Sequence, residues 1–289
     1  MDRPSSTFAR LLAAVGLTAL AGFASGCEST RTTLGAAYMQ TSFAGDLALS
    51  GAAATPLKQR RNSLRQSMRL DDAEPTPLIK ASVERDRASF NLSGFWTHTA
   101  GSGPLAAPFG DLPAGSQVRN ELTFANVKAV GRYDLIPSES FTFAPGIGVD
   151  YFHIDVESRR TTGVGFEQVE NDVLVPIADL LVGVNLGGVE VSAEGAWMDA
   201  DLGDADGTYW DLDGMLKVRP SEKFSLFAGY RWIKMDANGL ADSRQYESNI
   251  EVSGWYVGGE LTFGGKRRES STGSRNLRTP TKRRLRRLN

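Results

Sequence analysis

The feature that most constrains this chain is the stretch 209–234, which reads as two amphipathic strands joined by a turn. From 210 to 218 every second residue is apolar or glycine, and the residues between them include Asp211, Asp213 and Lys217. Such a period of two is typical of a β-strand. The alternation resumes at Phe224, and because proline cannot continue a central strand, Pro220 marks the reversal.

The apolar face of this hairpin begins and ends in aromatic residues, while its other face carries charges. A soluble sheet would bury the apolar face and expose the charged one to water. A transmembrane β-barrel reverses this arrangement, since apolar residues meet lipid, aromatic residues mark the two interfaces, and polar residues fill the lumen. The hairpin therefore predicts a transmembrane barrel.

Residues 1–27 read as an export signal. Arg3 and Arg10 accompany an apolar run from Leu11 to Ala24 that is too short for a stable transmembrane helix. The sequence ASGC at 24–27 resembles a bacterial lipobox, whose cysteine is lipidated. Cys27 is the single cysteine, so the chain forms no internal disulfide. Ordinary cleavage nearby is the alternative; both predict export, with the bacterial outer membrane as destination and its lipid as partner.

Residues 28–82 are predicted to be a periplasmic linker, with an extra strand or a short helix left open, the strand within 33–50. The segment 57–70 is basic and mildly helical, and an acidic, proline-interrupted segment follows it. A charge run of this kind is usually a solvated surface. No specific partner is assigned to it.

Eight alternating strands are predicted between residues 83 and 263. Short turns at Pro137, Gly187 and Pro220 alternate with long connections at about 98–117, 155–170, 199–207 and 235–247. Short turns at one end, long loops at the other and an even strand number are typical of bacterial outer-membrane barrels. The predicted fold class is thus all-β, an antiparallel up-and-down eight-stranded transmembrane β-barrel with a disordered N-terminal linker and C-terminal tail.

The alternation assigns side chains to the two faces of this barrel. The predicted outward aromatic girdle consists of Trp96, Tyr133, Phe141, Tyr151, Trp197, Trp210, Phe224, Trp232, Trp255 and Phe263. The predicted lumen charges are Arg87, Lys128, Arg132, Asp150, Asp179, Glu190, Glu194, Asp211, Asp213, Lys217, Arg219, Arg231 and Glu260. Because buried charges are costly unless paired, this set predicts a salt-bridge network that closes the lumen. A gated polar pore is the alternative.

The eight strands, the segment FAGYRW at 227–232 and the final strand GWYVGGELTF at 254–263 resemble the small outer-membrane barrels of the OmpA and OmpW type. The resemblance covers about residues 85–263. It implies barrel insertion and says nothing of activity. It also implies that Phe263 is the terminal aromatic of the assembly signal, although 26 further residues follow here.

From Gly264 to Asn289 the chain carries ten Lys and Arg residues against one acid. This tail has too few apolar residues to fold, so it is predicted to be disordered. Its charge favours anionic polymers of the cell envelope as a partner. The alternative is a tail without a specific partner, and nucleic-acid binding is not expected after export.

Two histidines, His98 and His153, fall at the outer ends of strands, which is the height of an interfacial lipid-modifying enzyme. Neither stands in a hydrolase signature, although Ser102 follows His98, so no enzymatic activity is expected. The acidic stretch 199–206 lacks calcium-loop spacing and is predicted to be a solvated loop, so no metal and no cofactor are expected.

The predicted function is therefore a structural or envelope-interaction role. The alternatives are a narrow solute pore, an interfacial lipid-modifying enzyme, and a soluble periplasmic lipid-binding barrel whose apolar faces point inward.

Overall fold

A computed structural model describes residues 30–51, 56–70, 74–136, 138–201, 206–241 and 244–264. The predicted signal peptide, Cys27 and nearly all of the basic tail lie outside this range. The strands are β1 (Thr30–Leu49), β2 (Asn62–Ser63), β3 (Glu74–Arg85), β4 (Ala88–Pro104), β5 (Gln117–Tyr133), β6 (Phe141–Arg160), β7 (Phe166–Asn185), β8 (Val189–Asp201), β9 (Asp206–Val218), β10 (Phe224–Ala241) and β11 (Arg244–Gly264). One short 3-10 helix, η1 (Leu57–Gln59), precedes β2.

All the strands belong to one antiparallel sheet with up-and-down neighbours, which confirms the all-β prediction. The sheet closes on itself because β1 pairs with β3 on one side and with β11 on the other. Ten strands form this ring, and the two-residue β2 is attached to β1 alone. The prediction of eight strands was wrong, since β1 forms where an extra strand was left open and β3 comes mostly from residues that were assigned to a linker.

The sequence pattern did not predict β3, because the strand contains two prolines. Pro75 and Pro77 lie in its first four residues, which pair with β1 only, whereas the ladder between β3 and β4 starts at Leu78 and Phe95. Proline lacks a backbone N–H and is tolerated where one side of a strand has no partner. Both prolines therefore lie just outside the β3–β4 ladder, where β3 pairs with β1 alone.

The end of the barrel that holds the short turns is called the lower end here. Asp86 and Arg87 connect β3 to β4, and Asp86 has φ 55°. Gly187 and Gly188 connect β7 to β8 with φ 72° and 119°. Tight hairpin turns require such left-handed backbone, which glycine and aspartate accept most readily. The first described strand begins at this end and the last one finishes there.

The strands extend far beyond the predicted loop boundaries. β6 and β7 have 20 residues each and β11 has 21, whereas about 9–11 residues suffice to cross a membrane. Two of the stretches predicted as long loops shrink to connections at 105–116 and 161–165. In the other two, the described strands extend to Asp201 and from Asp206, and to Ala241 and from Arg244. Each long strand therefore has about twice the length that a membrane span needs, and it extends toward what is called the upper end.

Two rings of aromatic side chains bound an apolar belt on the outer wall. The upper ring consists of Tyr38, Trp96, Tyr151, Trp197, Trp210, Trp232 and Trp255, which include all five tryptophans of the chain. The lower ring consists of Tyr133, Phe141, Phe224 and Phe263. Many side chains of these rings and of the belt between them are exposed to the surroundings. Ile147 is 78% exposed and Trp255 is 71% exposed. Between the two rings the apolar faces point outward, whereas the soluble lipid-binding alternative requires them to point inward there.

Above the upper ring the pattern along each strand inverts. On β10, Ile233, Met235 and Ala237 point inward and belong to the core or pack against it, while Lys234 and Asp236 point outward. The interior of the upper half is accordingly an apolar core. Its centre is a chain of aromatic rings whose centroids lie 5.3–5.9 Å apart, formed by Phe43, Phe95, Phe124, Phe152 and Tyr209.

Residues 56–70 fold over the upper end and are called the cap. Leu64 and Met68 are fully buried. The side chain of Asn62 donates to the carbonyl of Ala107 and accepts from its N–H at 3.1 and 3.0 Å. Asn120 donates to the carbonyl of Met68 at 3.0 Å. This segment, predicted as a periplasmic linker, lies at the end opposite to the short turns.

Candidate functional site

A network of ion pairs around Asp211 fills the interior of the lower half, below the upper aromatic ring. Arg231 binds both oxygens of this carboxylate, with Nε at 2.9 Å and Nη2 at 2.8 Å. Lys128 Nζ lies 2.5 Å from Asp211 Oδ2 and 2.5 Å from Glu194 Oε1. Asp211 and Arg231 are almost completely buried. Three strands, β5, β9 and β10, are therefore connected across the lumen by one carboxylate.

Arg132 extends the network toward the lower end. Its guanidinium binds Asp179 through Nε at 2.5 Å and Nη2 at 3.1 Å, and it also contacts Glu194 at 2.7 Å. The fork of a guanidinium matches a carboxylate in this bidentate way, which strengthens the pair. Glu194 thus accepts from both Lys128 and Arg132.

Three further pairs line the lumen nearer to the lower end. Lys217 lies 2.9 Å from Glu260, and Arg219 pairs with Glu190. Lys80 lies 3.0 Å from Asp213. A cavity of about 160 Å³ remains among these side chains and is lined by both signs of charge.

Tyr256 completes this region. Its hydroxyl donates to Asp213, and Lys80 Nζ lies 4.5 Å from its ring centroid. The ring occupies the space beside Gly229, where an added Cβ would lie 2.4 Å from the tyrosine hydroxyl. The glycine in the sequence FAGYRW therefore makes room for Tyr256.

Asp150 lies at the boundary between the charged and the apolar interior. It is fully buried, accepts a hydrogen bond from Asn126, and accepts another from the Tyr209 hydroxyl at 2.6 Å. Tyr209 in turn packs against Phe152 in the aromatic chain above. Polar hydrogen bonds rather than an ion pair hold this carboxylate.

Twelve of the thirteen predicted lumen charges lie inside the barrel and take part in the contacts above. Arg87 is the exception, because it belongs to the β3–β4 turn and its guanidinium lies 6.0 Å from the ring of the outward Tyr133. Sequence reasoning missed Lys80, since its strand was assigned to a linker. It also missed Asn126 and Tyr209 as partners of Asp150, although both share the inward phase of their strands.

The arrangement fills the lumen instead of opening it. Charged side chains cross the lower half, the aromatic chain occupies the upper half, and the cap lies on top. Among the described residues, no group of His, Cys, Asp and Glu has the geometry of a metal site. No described helix is long and apolar enough to span a membrane.

A second cluster lies on the outer wall, beside the upper ring. His153 and Asp172 face each other across β6 and β7, with His153 Nδ1 2.9 Å from Asp172 Oδ1. The Tyr151 hydroxyl donates to the same oxygen at 2.6 Å. Partial burial acts to raise the pKa of Asp172, but the hydrogen bonds from Tyr151 and His153 outweigh it and hold that pKa below its usual value.

His98 occupies an equivalent height on β4. Its Nδ1 lies 3.1 Å from Thr123 Oγ1. Ser102, the hydroxyl that follows it in the sequence, lies further up β4 on the same exposed face. In the acidic stretch 199–206, residues 199–201 belong to β8 and residue 206 begins β9, while residues 202–205 lie outside the described range.

No sequence-family model and no curated protein sequence matches this chain. Solved structures do resemble it. The outer membrane protease OmpT from Escherichia coli superimposes with a TM-score of 0.53 at 8% identity, covering 81% of this chain and 96% of OmpT. The translocator domain of the autotransporter NalP from Neisseria meningitidis gives 0.41 at 11% identity, covering 89% and 96%. Neisserial surface protein A gives 0.30 at 11% identity, covering 81% and 97%.

The likeness to OmpT concerns the fold alone, because the sequences share so few residues. With the outward apolar belt and the closed ring, it defines the class of protein. The chain has the fold of the bacterial outer-membrane β-barrel proteins.

Proposed function

We propose that this chain is an outer-membrane β-barrel with a closed lumen, and that its work is structural or interactive and is carried by its upper end. The observation that supports this most directly is the filled interior. Arg231 and Asp211 cross the lumen while buried to 1% and 0% exposure. A solute would have to break these pairs and displace the aromatic chain above them.

Closure is tested by ion conductance in a planar lipid bilayer. We expect no stepwise conductance from the folded chain, and none after replacement of Arg231 by Lys, which keeps a cation in place. A narrow pore, the alternative, would give discrete steps whose size changes in the Arg231→Lys protein. Heat-modifiable migration on a gel, with and without boiling, verifies that each protein tested is folded.

The proposal also includes the location and the orientation of the chain in the cell envelope. We place the lower end in the periplasm and the upper end outside the cell, with export by residues 1–27 and lipidation at Cys27. Metabolic labelling with a radioactive fatty acid tests this, since a Cys27→Ser protein should lose the label and an unlabelled parent protein would exclude lipidation. The basic tail would then reach anionic polymers of the periplasm.

The outer-wall cluster supports a second candidate, an interfacial lipid-modifying enzyme. A histidine oriented by a carboxylate through Nδ1 has its Nε2 available as a general base. OmpT is an outer membrane protease, so this fold can accompany catalysis. The expectation of no activity therefore rests on the missing hydrolase signature alone.

The test compares outer-membrane lipid masses from cells that express the parent chain, His153→Ala and Asp172→Asn. A mass change that requires both residues would establish the enzyme. His98→Ala is the matched control, because it removes a histidine at the same height that has no carboxylate partner at its Nδ1. Identical lipid masses in all four samples would leave the structural role.

A further inference from the structure

The cap presents a basic surface at the upper end. Residues 56–70 contain five Lys and Arg residues and no acid. Arg60 is fully buried and donates to the carbonyl of Gly110 at 3.0 Å. The other four, Lys58, Arg61, Arg65 and Arg69, are exposed. One face of the cap packs on the barrel, and the opposite face carries only positive charge.

Hydrogen bonds and close packing fix the backbone that carries these cations to the barrel. Besides the hydrogen bonds of Asn62 and Asn120, the Leu64 N–H donates to the carbonyl of Gly45 at 2.9 Å. The cap also packs closely on β4, since a Cβ at Gly101 would lie 2.0 Å from the carbonyl oxygen of Arg69. Arg69 itself has φ 56°, a conformation that is uncommon outside glycine. Ordering such a surface in advance lowers the entropy cost of binding.

Two of the four exposed cations, Arg61 and Arg65, already interact with other residues of the chain. Arg61 pairs with Glu247 on β11. Within the part of the chain that the structure describes, no ion pair is formed by Lys58 or Arg69. A positive surface of this kind attracts polyanions.

The height of the cap above the upper ring decides which anion it meets. β4 continues for eight residues beyond Trp96, to Pro104, where the cap packs against it. At about 3.3 Å per residue and a tilt of about 40°, this is a rise of roughly 20 Å. Lipid phosphates lie near the aromatic ring, so they are too low to reach the cap.

We propose that the cap binds an anionic polysaccharide that carries sulfate or phosphate groups. The inference rests on the proposed placement of the upper end outside the cell. Three of the four exposed cations are arginines, whose planar fork bonds two oxygens of a sulfate or phosphate at once. The cap is thus a recognition surface for the glycan layer above the membrane.

The experiment measures binding of dextran sulfate, with neutral dextran as reference, to the full chain folded in detergent micelles. We expect binding to dextran sulfate alone, weakening as salt is added. The variant K58Q/R65Q/R69Q should bind at least tenfold more weakly. The conservative variant K58R/R65K/R69K should retain most of the affinity, and the lower-end variant R31Q/R85Q/K223Q, which removes the same number of charges, should bind like the parent chain.

Equal affinities for the parent chain and K58Q/R65Q/R69Q would overturn the proposal. So would an equal loss in the lower-end variant, or tighter binding of single-stranded DNA than of dextran sulfate at matched charge. Each variant is first shown to be folded by its heat-modifiable gel shift. Because the assay uses the folded chain in micelles, its result depends neither on which end faces outside the cell nor on closure of the lumen, which conductance decides.

Discussion

The two halves of this barrel solve the same packing problem in opposite ways. In the lower half the apolar side chains point outward and the interior is filled by ion pairs around Asp211, which is the arrangement that a lipid-covered wall favours. In the upper half charges point outward and Phe124 and its neighbours fill the interior, which is the arrangement that a water-covered wall favours. The proposed membrane placement therefore accounts for both halves by the solvent outside each of them.

The inversion takes place within single strands, without a break in the ladder. On β5, Lys128 and Arg132 point inward below, while Leu122 and Phe124 point inward above. The alternation keeps its phase and only the chemistry of the two faces changes. The upper half therefore has the apolar interior typical of a water-soluble barrel, and the lower half has the charged interior typical of a membrane barrel.

The largest expected effect comes from removing the centre of the charged half. Asp211→Asn leaves Lys128 and Arg231 buried without their full countercharge, and breaking a buried pair in this way costs about 3–5 kcal/mol. Urea unfolding in lipid vesicles, followed on a gel, measures the loss. Asp236→Asn on the outer wall should change stability by less than about 1 kcal/mol. A similar small effect for both would contradict the network.

In the apolar upper half, the expected loss of stability comes from a cavity and not from an unpaired charge. Phe124→Ala removes the ring that contacts Phe43, Phe95 and Phe152, and a buried Phe→Ala substitution costs about 3–5 kcal/mol. The same unfolding assay applies. Phe124→Leu should recover most of the lost stability, whereas equal losses for Ala and Leu would mean that this region is not tightly packed.

The boundary between the halves is tested by placing arginine on one strand at two heights. Leu212 and Thr208 both point outward on β9, and Trp210 lies between them. Leu212→Arg introduces a charge into lipid and should destabilise by about 2 kcal/mol. Thr208→Arg enters water and should cost less than about 0.5 kcal/mol. Reversed magnitudes would place the membrane on the upper half.

The smallest effect concerns the cap. Asn62→Ala leaves the N–H and the carbonyl of Ala107 without their partners, at a cost of about 1–2 kcal/mol. Because the cap belongs to the upper half, limited proteolysis should cleave within residues 56–70 sooner than in the parent chain. An unchanged cleavage rate would show that these bonds do not hold the cap.

Alternation in the sequence predicted the lower half of the barrel well, but it did not predict the strands of the upper half. The inward phase of Lys128, Asp211 and Arg231 follows from alternation alone. The strands were stopped where the apolar residues changed sides, although Ile233 and Met235 continue the inward phase after Trp232. The apolar residues change from the outward to the inward face at Trp232. This change indicates a continuing strand, but it was interpreted as the start of a loop.

Other features were beyond reach of the sequence. Nothing local pairs Lys80 with Asp213 across 133 positions of chain. The weak alternation of β1 and the prolines of β3 carried no clear strand signal, and only closure of the ring requires both. The fold of the cap depends on contacts with β1, β5 and the 105–116 connection, so its basic residues alone could not place it.

The most direct test of the inside-out lower half uses the tryptophans. All five lie on the outer wall in the upper ring, so their fluorescence reports on that ring alone. The chain is folded into vesicles whose lipids carry bromine either near the headgroup or near the end of the acyl chain. We predict strong quenching by the bromine near the headgroup, weaker quenching by the deep bromine, and little quenching by aqueous iodide. Quenching by iodide but by neither brominated lipid would contradict the account.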